Sequence, residues 1–177
     1  MQTDLADMVW NAAYDYQEDP WSQWGLYSFN QPNYGQYQQV LDDLWIVALT
    51  LDSDRGWENG IHYDCRPQGS FECPGTAWAS AEEGSDPWLV HICDNFHTIE
   101  NAGGPEYGYA LQRSAILHEY FHFLGYKDQG YCRCAIDKVW QDPLYSRSPD
   151  NYQQFINGVN GAVSACEINQ NDMGCAE

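Results

Sequence analysis

The segment Leu117-His118-Glu119-Tyr120-Phe121-His122 carries the chain's chemistry and marks its central helix. It lies in an apolar stretch from Tyr109 to Leu124 in which Leu111, Ala115, Leu117, Tyr120, Phe121 and Leu124 recur at helical spacing. Gly125 supplies the stop. Four residues are just over one helical turn, so the imidazoles of His118 and His122 project from one face and can reach one Zn²⁺ through their ring nitrogens. Glu119 then stands beside the metal, placed to deprotonate its water. The bland alternative is a helix with two core histidines and a capped carboxylate. It is disfavoured because three polar groups in an apolar helix are costly to bury without partners.

A catalytic zinc takes three protein ligands and keeps one position open for water. Asp128 follows His122 beyond Gly125, where the chain can leave the helix and fold back under the metal. Alone, an Asp in Lys127-Asp128-Gln129-Gly130 would read as a turn residue, but the adjacent metal helix reverses that preference. Glu106 and Glu100, in the segment before the helix, are the alternative third ligands. One Zn²⁺ per chain is expected.

Outward from the motif, 177 residues with 44% hydrophobic content suit one domain spanning 1–177. The 26 acidic against 7 basic side chains give a formal charge of -19, which argues against nucleic acid or an anionic membrane as partner. No apolar run reaches the ~18 residues of a membrane span; Leu44 to Leu51 is interrupted by Thr50 and bounded by Asp42, Asp43 and Asp52. The start Met1-Gln2-Thr3-Asp4 lacks a signal peptide's basic and apolar regions, so either the protein stays inside the cell or a leader has been removed and Met1 added. Seven Cys with 8 Trp and 13 Tyr favour the second case, an oxidised secreted domain.

Helical spacing predicts a helix over Asp4 to Tyr16 and another carrying Tyr37, Val40, Leu41, Leu44 and Trp45 on one face, joined by a loop rich in Trp, Asn, Gln and Pro. Short β-type runs follow at Ile61 to Cys65, Thr76 to Ser80 and Trp88 to Cys93. After the central helix, a short helix is predicted around Ala135 to Trp140 and a last one from Asp150, as its cap, through about Ala165. The fold class is α+β: mostly helical, with a small sheet and the zinc motif on a buried helix.

Gly125-Tyr126-Lys127-Asp128-Gln129-Gly130-Tyr131 resembles the Gly-Thr-x-Asp-x-x-Tyr-Gly signature that accompanies His-Glu-x-x-His in the deuterolysin-type metallopeptidases, the aspzincins. Pro149-Asp150-Asn151-Tyr152 is similar to the Asn-Ala-Asp-x-Tyr segment that opens that family's last helix. The resemblance implies a zincin-like domain and a secreted zinc endopeptidase acting on protein or peptide substrates. It also implies His118, His122 and Asp128 as ligands, Glu119 as general base and Tyr131 as transition-state donor. Asp150 matches an acidic residue that in some members favours Lys after the scissile bond. The family's Cys pattern, with the strand-like placement of the residues, pairs Cys93 with Cys65 or Cys73. Tyr126 stands where the signature has Thr, Cys132 replaces its closing Gly, and the spacer between His122 and Gly125 is shorter. That spacing also resembles His-Glu-x-x-His-x-x-Gly-x-x-Asp of snapalysin-like metzincins, which need a Met turn beneath the zinc; Met173, near the end of the chain, is poorly placed for one.

The competing class is a secreted, non-catalytic zinc-containing module that binds carbohydrate or protein through Trp21, Trp24, Tyr27, Tyr34 and Tyr37. Packing of those rings over the first two helices is the preferred reading. His62, His91 and His97 read as structural histidines, Cys132 and Cys134 as disulfide partners. The protein is expected to be a monomer.

Overall fold

A computed structural model describes residues 2–30, 34–53, 61–85, 87–99, 105–128, 135 and 148–162. The elements run α1 (Gln2–Glu18), α2 (Gln23–Phe29), α3 (Tyr34–Ser53), β1 (Ile61–Arg66), β2 (Ala79–Ala81), β3 (Trp88–Cys93), α4 (Asp94–Thr98), α5 (Pro105–His122) and α6 (Pro149–Val159). The fold is therefore α+β and mostly helical, with a small sheet. Among the described residues no helix is long and apolar enough to cross a membrane.

The helices form where the apolar spacing places them. On α1, Leu5, Met8, Val9, Ala12, Ala13 and Tyr16 are all buried, and α3 answers with Val40, Leu44, Val47, Ala48 and Leu51. Each fully buried Leu or Val contributes roughly 1.5–3 kcal/mol relative to exposure. α5 adds Leu111, Ile116, Leu117, Tyr120 and Phe121 to the same core, and α6 adds Tyr152, Phe155 and Ile156. Aromatic edges lock these helices together: Tyr16 meets Phe29 at 5.6 Å and Phe155 at 5.4 Å, both T-shaped.

In the sheet the strand order is β1-β3-β2, with β1 parallel and β2 antiparallel to β3. Alternation turns Ile61, Ala79, Val90 and Ile92 toward the helices, and the Tyr63 and Tyr120 hydroxyls, 2.5 Å apart, tie β1 to α5. Trp78 and Glu82 bond to β3 on one side of β2. The alternating pattern therefore leaves the Ala81 N–H on the free edge of the sheet. A disulfide joins Cys73 to Cys93 with their Cα atoms 5.6 Å apart, selecting one of the two expected pairings. Cys65 is exposed and has no disulfide partner among the described residues.

Several boundaries differ from the sequence expectation. The segment expected as a loop before Tyr34 contains α2, which gains its order from α6: a Cβ at Gly158 would lie 2.3 Å from the ring of Trp24. β2 is shorter and later than Thr76 to Ser80, and α5 begins earlier, at Pro105. α6 ends at Val159 rather than near Ala165, because Gly161 takes a φ of 60° and turns the chain. Asp150 does not cap that helix. Ser148 occupies the cap position and Pro149 starts the first turn with its preset φ, so Asp150 falls inside the helix. Of the short helix expected around 135–140, only Ala135 is described.

Candidate metal centre

α5 delivers both imidazoles to one point, with His118 Nε2 and His122 Nε2 3.1 Å apart. The chain then reverses at Gly125, whose φ of 85° and amide bond to the His122 carbonyl at 2.9 Å make a left-handed stop that favours glycine. The reversal brings Asp128 back under the histidines. Its Oδ1 lies 2.9 Å from His118 Nε2 and 3.5 Å from His122 Nε2. Tetrahedral ligands held ~2.0–2.1 Å from a zinc ion stand ~3.3 Å from one another. The observed separations of 2.9, 3.1 and 3.5 Å bracket that value, so the donor set fits zinc.

The far nitrogens of the two rings are also engaged. His122 Nδ1 lies 2.7 Å from the Tyr126 carbonyl oxygen and donates to it, which leaves the lone pair of the neutral ring on Nε2. His118 Nδ1 faces Asp150 Oδ2 at 3.6 Å. Asp150 is only 2% exposed, so its carboxylate sits behind the ring rather than in open solvent. Gln153, also buried on α6, donates its side-chain amide to the Ser114 carbonyl at 2.7 Å and the Ser114 hydroxyl at 2.5 Å on α5.

Glu119 is buried beside the pair, its carboxylate within 4.8 Å of both ring nitrogens. Burial raises its pKa above the usual carboxylate range, against the lowering influence of the two imidazoles and the Ala81 N–H. The Ala81 amide on the free edge of β2 thus reaches the Glu119 carboxylate. For His118, burial acts to lower the pKa, but the Asp128 hydrogen bond and the charges of Asp150 and Glu119 outweigh it and raise the ring to about 9 in the absence of metal. Lys127, next to Asp128, pairs with Glu83 in the turn after β2 and links the ligand loop to the sheet.

Among the sequence candidates, the fold brings together His118, Glu119, His122, Asp128 and Asp150. Glu106 lies in the first turn of α5, about 18 Å of helix rise from His118. Tyr131, Glu100, Cys132 and Cys134 lie outside the described residues. Of the aromatic residues considered for a ligand platform, Trp24 and Tyr37 pack against the core while Trp21 and Tyr27 are exposed. His91 is buried between Asp64 and Glu82, as a structural histidine would be, and His62 and His97 are exposed.

Sequence reasoning missed Asp43, Tyr126 and Tyr152. Asp43 Oδ2 accepts the hydroxyls of both tyrosines inside the protein. The signal for Tyr126 was present, since a large phenol replaces a small Thr. Asp43, in the pair Asp42-Asp43, gave none.

No family profile and no curated protein matches the sequence. Among solved structures the fold is similar to that of a zinc peptidase from Grifola frondosa, with a TM-score of 0.69 and 16% identity, over 92% of this chain and 93% of that one.

Proposed function

We propose that this chain is a secreted zinc-dependent endopeptidase, and the observation that carries the reading is the convergence of His118 Nε2, His122 Nε2 and Asp128 Oδ1 beside the buried Glu119. The likeness in fold to the Grifola frondosa zinc peptidase supports it. His118, His122 and Asp128 hold the metal. A zinc ion held there would supply Lewis acidity, lowering the pKa of a water toward ~7 and polarising a peptide carbonyl. Glu119 accepts the proton at its carboxylate and later delivers it to the leaving amine; its raised pKa in the metal-free site suits a group that must both take and give a proton. Tyr131 donates to the developing oxyanion in this reading, by resemblance to the aspzincins. The Cys73–Cys93 disulfide supports an oxidising, extracellular setting.

The substrate is protein or peptide, with a preference for Lys after the scissile bond. That preference follows the resemblance of Asp150 to the acidic residue of some aspzincins, and the net charge of -19 favours a cationic substrate. The deciding experiment is proteolysis of unfolded casein by wild type and Glu119→Gln, each loaded with zinc. The variant should retain zinc and lose roughly 10²–10⁴-fold in rate. Equal activity in the two proteins would remove Glu119 from the reaction, and no hydrolysis by the zinc-loaded wild type would remove the peptidase reading.

A further inference from the structure

We infer that Asp43 is the positioning residue of the zinc site, a single buried carboxylate on α3 that fastens both the acceptor behind His122 and the helix behind His118. This rests on the reading of His118 and His122 as zinc ligands.

Asp43 is 3% exposed, and a carboxylate so placed is costly unless donors surround it. Its Oδ2 accepts the phenolic O–H of Tyr126 and that of Tyr152, and its Oδ1 lies 3.3 Å from the Gln39 amide nitrogen, which donates to it. The two tyrosine rings stack at 5.5 Å and 14°, and Phe121, inside the His118–His122 motif, stacks on Tyr152 at 4.2 Å and 12°.

Each phenol leads to one histidine. Tyr126 supplies the backbone carbonyl that His122 Nδ1 bonds at 2.7 Å, so pinning its side chain inward fixes where that carbonyl points. Tyr152 lies two residues beyond Asp150 on α6, and its bond to α3 fixes the helix that presents Asp150 to His118 Nδ1. Groups behind metal-bound imidazoles set ring orientation and basicity.

Packing alone does not account for the arrangement. Phe at 126 and 152 would preserve the stack, and an apolar residue at 43 would remove the cost of a buried charge, an exchange that is often neutral or stabilising. The shared hydrogen-bond acceptor instead gives direction to two groups that apolar contact would leave free to rotate or slide.

The test compares Tyr126→Phe, Asp43→Asn and the triple variant Asp43→Leu/Tyr126→Phe/Tyr152→Phe with wild type and His122→Ala. Three measurements are made on the full chain: far-ultraviolet circular dichroism, zinc affinity by competition with a chromophoric chelator, and the visible spectrum of the cobalt-loaded protein. Tyr126→Phe and the folded triple variant should bind zinc about 10- to 100-fold more weakly and show an altered cobalt band. Asp43→Asn keeps an oxygen acceptor for both phenols and should stay close to wild type in both signals. Wild-type zinc affinity with an unchanged cobalt band in the folded triple variant would overturn the proposal. Should the triple variant not fold, Tyr126→Phe, which leaves Asp43 bonded to Tyr152, decides by the same criteria. A wild type that binds no zinc, or a His122→Ala variant that binds it as tightly, would overturn the ligand reading and this proposal together. Loss of zinc in His122→Ala with none in Tyr126→Phe would overturn the positioning role alone.

Discussion

Asp150 Oδ2 lies 3.6 Å from Nδ1 of His118, while Asp128 Oδ1 lies 2.9 Å from Nε2 of the same ring. One imidazole is therefore held between two carboxylates, the inner one 2% exposed and the outer one at the surface. The outer group is the third ligand in our reading and the inner one faces the nitrogen that zinc does not use.

Asp150→Asn keeps the shape of the inner group and removes its charge. Cleavage before Lys should weaken relative to cleavage before neutral residues in a mixed peptide library. An unchanged profile accompanied by weaker zinc binding would assign Asp150 to His118 alone and end the Lys-preference proposal.

Asp128→Ala leaves two histidines on one helix face and removes the third donor. Zinc affinity and casein hydrolysis should fall together, affinity by at least about tenfold, as for loss of a group that tunes the metal. Stoichiometric zinc and full activity in this variant would place the third ligand elsewhere.

The metal-free protein should lose stability as pH rises. His118 has a folded pKa of about 9 against an ordinary 6.5, and Glu119 is likewise raised above its ordinary 4.5. Both groups hold more protons folded than unfolded, so the slope of stability against pH is negative. The His118 contribution is complete below about pH 6.5 and lost as pH passes about 9. Melting temperatures of chelator-stripped protein should fall across that window, and a rise across it would contradict the assignment.

Replacing Cys73 and Cys93 by Ala opens a loop closed across a sequence separation of 20. The chain-entropy estimate for such a loop is about 3 kcal/mol. For a chain of this size that corresponds to a drop of roughly 6 to 12 °C in Tm. Glu72, which precedes Cys73, supplies the carbonyl that accepts from Ser80 Oγ at 2.6 Å, so the β2 edge beside Glu119 should loosen as well. Hydrogen exchange at Ala81 would register that change; wild-type protection there with a wild-type Tm would rule it out.

How much could be read beforehand follows the reach of each interaction along the chain. His118, His122, Gly125 and Asp128 were legible because a helix turn and a glycine stop are local rules, and the fold brings these residues together as that spacing predicts. α1 and α3 were legible for the same reason, since their buried faces repeat at helical spacing. α2 was not: its residues Gln23-Trp24-Gly25-Leu26-Tyr27-Ser28-Phe29 carry no clear stripe, and their order comes from α6 far along the chain. Asp43 was the least legible residue. A second acidic residue on an amphipathic helix reads as solvated, and the partners that bury it lie 83 and 109 residues away. Asp150 was expected as the helix cap, but Ser148 takes that position two residues earlier because Pro149 begins the helix.

That contrast in reach has a consequence for the order of assembly. The donor set spans eleven residues of sequence, 118 to 128, whereas the bonds from Asp43 close across 83 and 109. A short segment with a helix and one turn can capture a metal ion early, even on a chain that is only partly folded, and such binding lessens the extra stability that the ion gives the native state. During synthesis α3 emerges first, the ligand segment next and α6 last. If these residues are the zinc ligands, capture of the ion can precede its alignment, which waits for Tyr152 to dock on Asp43.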